Sequence, residues 1–148
     1  MDHPLIFTAP MVRAILEGRK TMTRRKGKRF HKWQIGDLIW VRETFRELGN
    51  GEFCYRADDV GDGSAPWRWS PSIFMPRRAS RISLELTGIR RELLLDITDD
   101  NVNQEGFSNI SDFLDYFDKV APGVAQFNPG VVVLSFTRIR NEEDEYHK

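Results

Sequence analysis

One cysteine, Cys54, in 148 residues leaves no partner for an intramolecular disulfide and no basis for a thiolate metal cluster. Histidine is scarce too. His3 and His147 lie near the ends, and His31 has no second histidine or cysteine at ligand spacing, so no metal is expected. No apolar run approaches the roughly 20 residues that a membrane-spanning helix needs. Met1-Asp2-His3-Pro4 also lacks the charged and apolar pattern of a secretory signal. No membrane partner and a cytoplasmic location are therefore expected. There is no glycine-rich phosphate loop and no serine-centred nucleophile elbow, and no motif implies a cofactor. Repeats and linkers are missing as well. The length suits one domain, expected over residues 1–140, followed by a charged tail over 141–148.

Net charge is the last absence: 22 Lys and Arg balance 22 Asp and Glu. The balance conceals a division. Residues 1–91 hold eighteen Lys and Arg against ten Asp and Glu, whereas residues 92–148 hold four against twelve. Residues 13–32 alone carry nine cations (Arg13, Arg19, Lys20, Arg24, Arg25, Lys26, Lys28, Arg29 and Lys32) against the single Glu17. Such density is the footprint of a phosphate-binding surface, so RNA or a nucleotide is the expected partner. The alternative is a solvated face, with the opposite-charge halves attracting each other.

Local patterns outline a mixed architecture. Thr8 is placed to cap a helix with Pro10 in its first turn. Met11, Ala14 and Ile15 follow at helical spacing, and Gly18 ends it. Leu38-Ile39-Trp40-Val41-Arg42 reads as a strand after the turn Gln34–Asp37. Asn50-Gly51 marks a hairpin between Phe45 and Phe53–Tyr55. Residues 57–80 are irregular. Ile82, Leu84 and Leu86 alternate as a half-buried strand. Thr98 opens a short helix that Gly106 closes. Ser111 starts another, with Phe113, Leu114, Phe117 and Val120 on one face and Pro122 beyond its end. Val131 through Ile139, apolar almost continuously to Phe136, reads as a strand buried on both sides. The expected fold is α+β, a small and partly closed β-barrel with helices packed outside.

Three groups of residues could carry chemistry. Lys20 is crowded by Arg19, Arg24 and Arg25, and like charges lower an amine's pKa. A neutral lysine beside Thr21 or Thr23 could act as a general base toward a hydroxyl nucleophile; a charged one would simply grip phosphate. Glu105, on the acidic helix, either completes an acid–base pair with that loop or forms a structural salt bridge. Trp67 and Trp69, interleaved with Arg68 and followed by Arg77 and Arg78, suit base stacking. Alternatively Trp67, Trp69 and Phe74 fill the barrel mouth as core; one tryptophan is expected buried and the other accessible.

The blocks "ILEGRKTMTRR", "IGDLIWVRETF", "PSIFMPRRASRI", "LLDITDDNVNQEGF" and "FNPGVVVLSFTRI" occur in that order. Together they resemble the ASCH domain, in particular its longer phage and prophage branch, over nearly all of residues 4–140. The resemblance implies a PUA-like β-barrel with a cleft beneath the first helix that binds RNA or a nucleoside. Some shorter relatives hydrolyse the amide of N(4)-acetylcytidine with a lysine, a threonine and a glutamate. The family's K-T-x-T motif falls on Lys20 and Thr23, and its glutamate on Glu105. The resemblance implies that Lys20 deprotonates Thr23, that the Thr23 oxygen attacks the acyl carbon, and that Glu105 polarises the amide or shuttles a proton. The insertion over about residues 57–80 departs from the compact hydrolases.

The leading expectation is thus an RNA- or nucleotide-binding domain. Arg19, Arg24, Arg25, Lys26, Lys28 and Arg29 would hold phosphate, Trp67 or Trp69 would stack a base, and Arg77 and Arg78 would add contacts. The alternative is the amidohydrolase. A ribonuclease acting from the same cleft and a protein-interaction module are two further readings.

Overall fold

The apolar run near the C-terminus becomes the strand on which everything else is assembled. In the computed structural model, which describes residues 1–59, 61, 63 and 67–140, β7 (Gly130–Ile139) lies between two antiparallel neighbours. The expected tail over 141–148 and part of the 57–80 segment lie outside the described residues. On one side β7 pairs with β6 (Ser83–Leu93), and on the other with β2 (Met22–Arg25). Alternation divides its side chains. Val132, Leu134 and Phe136 enter one core with Leu5, Phe7, Val12, Ile39 and Leu84. Val131 and Val133 enter a second core with Met22, Leu94, Val102, Phe113 and Phe117. The strand is buried on both faces, as its near-continuous apolar sequence predicts.

The remaining strands of this sheet are β1 (Asp2–Ile6) and β3 (Leu38–Arg42), giving the five-stranded order β1-β3-β6-β7-β2. Only β1 and β3 run parallel. The fold class is α+β, as expected. In a flat sheet, the edge strands β1 and β2 would lie roughly 19 Å apart, at about 4.8 Å per strand. Arg25 of β2 nevertheless donates through Nη2 to the Ile6 carbonyl of β1 at 2.7 Å. The sheet is therefore strongly curled, and a side chain rather than a ladder joins its edges.

Three helices cover this sheet. Helix α1 (Ala9–Leu16) buries Met11, Val12, Ala14 and Ile15, the face expected from its spacing. Thr8 does not cap it through its side chain; its hydroxyl instead shares a 2.6 Å hydrogen bond with Tyr116. Helix α2 (Asp99–Glu105) starts at Thr98, which accepts from the Asn101 amide, and stops at Gly106 at φ +98°. Helix α3 (Ile110–Val120) is capped two residues before Ser111. Asn109 accepts from the Asp112 amide there. The Asn50-Gly51 hairpin forms as expected between β4 (Phe45–Glu47) and β5 (Phe53–Tyr55).

Two strands escape the local patterns. β1 contains Pro4, which lacks an amide donor, and is tolerated because β1 is an edge. β2 is the charged tetrapeptide Met22-Thr23-Arg24-Arg25, also an edge; charged side chains there discourage further strand pairing. Much of the expected basic loop is thus a strand.

The turn into β3 carries an electrostatic lock. Asp37 accepts from the Gln34 amide at 3.0 Å and from His3 Nε2 at 2.8 Å, while His3 stacks on Trp33 at 4.2 Å. The Gln34 amide and then His3 hold the Asp37 pKa down to about 2 from 3.8. A depressed carboxylate contributes stability above its unfolded value and loses it as pH falls through the folded one. Urea midpoints of the wild type should therefore fall between pH 4 and pH 2 more steeply than those of Asp37→Asn. Equal slopes in that window would show that this contact does not contribute.

Candidate active site

The site is assembled where the basic stretch leaves α1. The Arg19 and Lys20 amides both donate to the Ala14 carbonyl, at 2.9 and 3.1 Å, and the Thr21 amide donates to Gln104 of α2 at 2.8 Å. The Thr21 carbonyl accepts from Phe136 of β7 at 3.0 Å. This segment is therefore pinned to both α2 and the central strand. Gly106, in the left-handed conformation that ends α2, passes so close that a Cβ there would lie 3.2 Å from Ala14 Cβ and 3.5 Å from Lys20 Cβ. The close passage brings the end of α2 onto Lys20.

Lys20 Nζ donates to the Glu105 carbonyl at 3.0 Å and to Glu105 Oε1 at 3.1 Å. The other carboxylate oxygen, Oε2, accepts from Arg24 Nη1 at 2.9 Å. Arg24 is in turn held by Glu92, whose Oε1 accepts from both Nε and Nη2, and by Asn101 Oδ1 at 3.0 Å. The side chains of Lys20, Arg24 and Glu105 are 3%, 0% and 3% exposed. Burial lowers the Lys20 pKa below 10.5, Arg25 and Arg24 add to the lowering, and Glu105 opposes it. The direction agrees with the sequence-based expectation, but loss of water outweighs the neighbouring arginines as its cause.

These groups line a cavity of about 300 Å³. Thr23 of β2 lines it as well, its hydroxyl accepting from Arg25 Nε at 3.1 Å. Opposite stand Phe7 and Met11 with Phe113, Tyr116 and Phe117 of α3. Burial raises the Tyr116 pKa above 10, against the opposing Thr8 hydrogen bond and Arg25 charge. The cavity thus has a polar wall bearing an amine, a hydroxyl and a carboxylate, and an aromatic wall. That combination suits a small ligand with one polar and one apolar face.

The structure puts Lys20, Thr23 and Glu105 on one cavity, with Lys20 bonded to Glu105 and Thr23 bonded to Arg25, and distributes the other expected residues differently. Arg24 is no surface cation, because its guanidinium is enclosed by two carboxylates. Arg25 lines the cavity, and burial pulls its pKa down to about 10. Arg19 is exposed and paired with Glu17 at 2.7 Å. Lys26, Lys28 and Arg29 are exposed, Arg29 lying over Phe30 and Trp33. Trp67 is 41% exposed and Trp69 half-buried. Arg46 covers Trp67 and Arg56 covers Trp69. Neither tryptophan lines the cavity or enters a core cluster. Phe74, at 68% exposed, is not core either. Arg77 and Arg78 pair with Asp2 and Glu47 at the surface. The sequence did not single out Tyr116, Glu92 or Asn101, and it marked Thr8 only as a helix cap. The apolar stripe of α3 was legible, but only as a packing face.

The sequence matches no family model. No curated protein matches it either. Two solved structures share its fold. One, of hypothetical protein PH0355, superposes with a TM-score of 0.56 at 14% identity, covering 94% of this chain and 100% of that one. The other, an ASCH domain from Lactobacillus crispatus, superposes with a TM-score of 0.56 at 11% identity, covering 93% of this chain and 79% of that one. The chain therefore has an ASCH-like fold.

Removing one member of a buried ion pair strands the other charge, at a cost of about 3–5 kcal/mol. Arg24→Met should lose that much stability in urea unfolding, whereas Arg19→Met, which breaks an exposed pair and an exposed bond to the Gly106 carbonyl, should lose about 1 kcal/mol or less. An Arg24→Met protein as stable as the Arg19 variant would contradict the buried network. Lys20 supplies a second check. Its lowered pKa means that the unfolded chain holds the proton more tightly, so its contribution to stability rises with pH between that lowered value and 10.5. Lys20→Met should flatten the rise in urea midpoint over this alkaline window; an unchanged slope would place the titration elsewhere.

Proposed function

We propose that the cavity is a hydrolytic site for an amide on a nucleoside-sized substrate, with N(4)-acetylcytidine as the representative. The observation that carries this reading is that Lys20, Thr23 and Glu105 line one cavity with aromatic residues, with burial driving Lys20 toward its neutral form. The ASCH-like fold and the K-T-x-T pattern at Lys20 and Thr23 support it.

Neutral Lys20 takes the proton of Thr23 as Oγ1 attacks the acyl carbon. Arg25 Nε–H donates to Thr23 Oγ1 and so offsets the negative charge that builds on that oxygen as its proton leaves. Lys20, now protonated, returns the proton to the departing amine as the C–N bond breaks, leaving an acyl ester on Thr23. Water then attacks that ester with Lys20 accepting its proton; the C–Oγ1 bond breaks, the carboxylic acid departs, and Lys20 returns the proton to Thr23 Oγ1. Glu105 orients the Lys20 amine through its carbonyl and Oε1. Arg24 is a positioning residue, because it occupies the second oxygen of Glu105.

A second reading is binding of RNA or a nucleotide without hydrolysis, favoured by the exposed Lys26, Lys28 and Arg29 at the end of β2. Turnover separates the two. Purified protein should release cytidine from N(4)-acetylcytidine, and Lys20→Ala and Thr23→Ala should each reduce kcat/KM by about 10²-fold or more. Saturable binding of the acylated nucleoside with no cytidine released would establish the binding reading instead.

A further inference from the structure

Arg25 is a wall shared by two concavities. Beyond the cavity just described lies a smaller bay of about 180 Å³, bounded by Arg25, Gly27, Arg91, Gly130, Val131 and Val132. Strand register builds it. Arg25 on β2 and Arg91 on β6 are both paired with Val132 of the intervening β7. Residues at one register level leave a sheet on the same face, so the Arg25 and Arg91 side chains leave on either side of Val132. Two glycines keep the space open, and a Cβ at Gly130 would meet nothing within 4 Å. Arg91 Nη2 donates to His31 Nδ1 at 3.1 Å. Arg25 is held by Ile6 O and Thr23 Oγ1.

The charges here are compensated unevenly. Among the described residues, Arg19, Lys20 and Arg24 each end on a carboxylate. Among the described residues, no salt bridge involves Arg25, Lys26, Lys28, Arg29 or Arg91. Arg25 stands out because it is half-buried, yet its hydrogen bonds go only to a carbonyl and a hydroxyl. Burial lowers its pKa to about 10. A partly desolvated cation that meets only neutral acceptors gains more from an arriving anion than an exposed one does. Paired arginine forks fit the tetrahedral oxygens of a phosphate.

We propose that this bay is an anion subsite for a phosphate ester of the ligand whose nucleoside unit fills the adjoining cavity, with Arg25 between the two. The inference rests on reading that cavity as a nucleoside site. It makes the natural ligand a nucleotide unit rather than a free nucleoside, with Lys26, Lys28 and Arg29 adding positive potential nearby.

Two measurements test it. Inorganic phosphate titrated into ¹⁵N-labelled protein at constant ionic strength should give saturable shifts at the Gly27 and Gly130 amides, and Arg91→Gln should abolish them. Absence of those shifts, or their persistence in Arg91→Gln, overturns the subsite regardless of what the cavity binds. The second measurement compares dissociation constants for N(4)-acetylcytidine, its 5′-monophosphate, and a trinucleotide with the acylated base in the middle. At least one phosphorylated ligand should bind tenfold or more tightly than the nucleoside, with that ratio falling toward one in Arg91→Gln. Preference for the monophosphate identifies a mononucleotide ligand, and preference for the trinucleotide identifies a phosphodiester of RNA. Equal affinity for all three overturns the inference and leaves the nucleoside cavity standing. Failure of all three to bind removes the cavity reading, and the phosphate titration still decides the bay.

Discussion

Glu105 is held between the buried Lys20 amine and the buried Arg24 guanidinium, and the shape of the site depends on that contact. Its two carboxylate oxygens are divided between Lys20 and Arg24, so α2 is tied at once to the segment after α1 and to the edge strand β2. None of these three charges could be buried alone at acceptable cost. Together with Glu92 they form an alternating chain of opposite signs, which lets the end of α2 close over the cavity. Gly106 is the steric condition for the same arrangement, since the backbone there passes within side-chain contact of Ala14 and Lys20.

The same contact sets the chemical character of Lys20. An amine paired with a single carboxylate would be driven toward its charged form. Here Arg24 competes for Glu105, Arg25 stands nearby, and water is excluded, so the amine is pushed the other way. Arg24 thereby changes from an apparent phosphate ligand into part of the internal electrostatics. Part of the charge asymmetry along the chain is likewise resolved inside the fold, because Lys20 and Arg24 of the basic half meet Glu92 and Glu105 of the acidic half. Of the cations left over, Arg25 and Lys26 line the cavity and Arg25 also lines the bay.

The curl of the sheet joins these features. It brings the edge strands β1 and β2 within reach of one arginine side chain and places Phe7, Thr8 and Met11 opposite Thr23 and Lys20. Helix α3 then supplies the aromatic wall, anchored by the Tyr116–Thr8 hydrogen bond. The tryptophan-bearing segment contributes nothing to that wall among the described residues. It packs instead on the β4–β5 hairpin around Phe45, Met75 and Ala79.

What the sequence determined by itself was local. The apolar period of α1, the Asn50-Gly51 turn, the Thr98 cap with its closing Gly106, and the continuous apolar run of β7 each act within about one turn or strand, so they were legible without a structure. The recurrence of family blocks also marked Lys20, Thr23 and Glu105, although spacing alone could not show that they meet. Tertiary structure decided the rest. β1 and β2 are strands despite Pro4 and two arginines because edge positions tolerate both. Thr8 turns from its helix to Tyr116, 108 residues away, and Arg24 is buried because Glu92 and Glu105 lie 68 and 81 residues further along the chain. A side chain's charge is written in the sequence, but whether that charge faces water or an opposite charge is settled only by what the fold brings beside it.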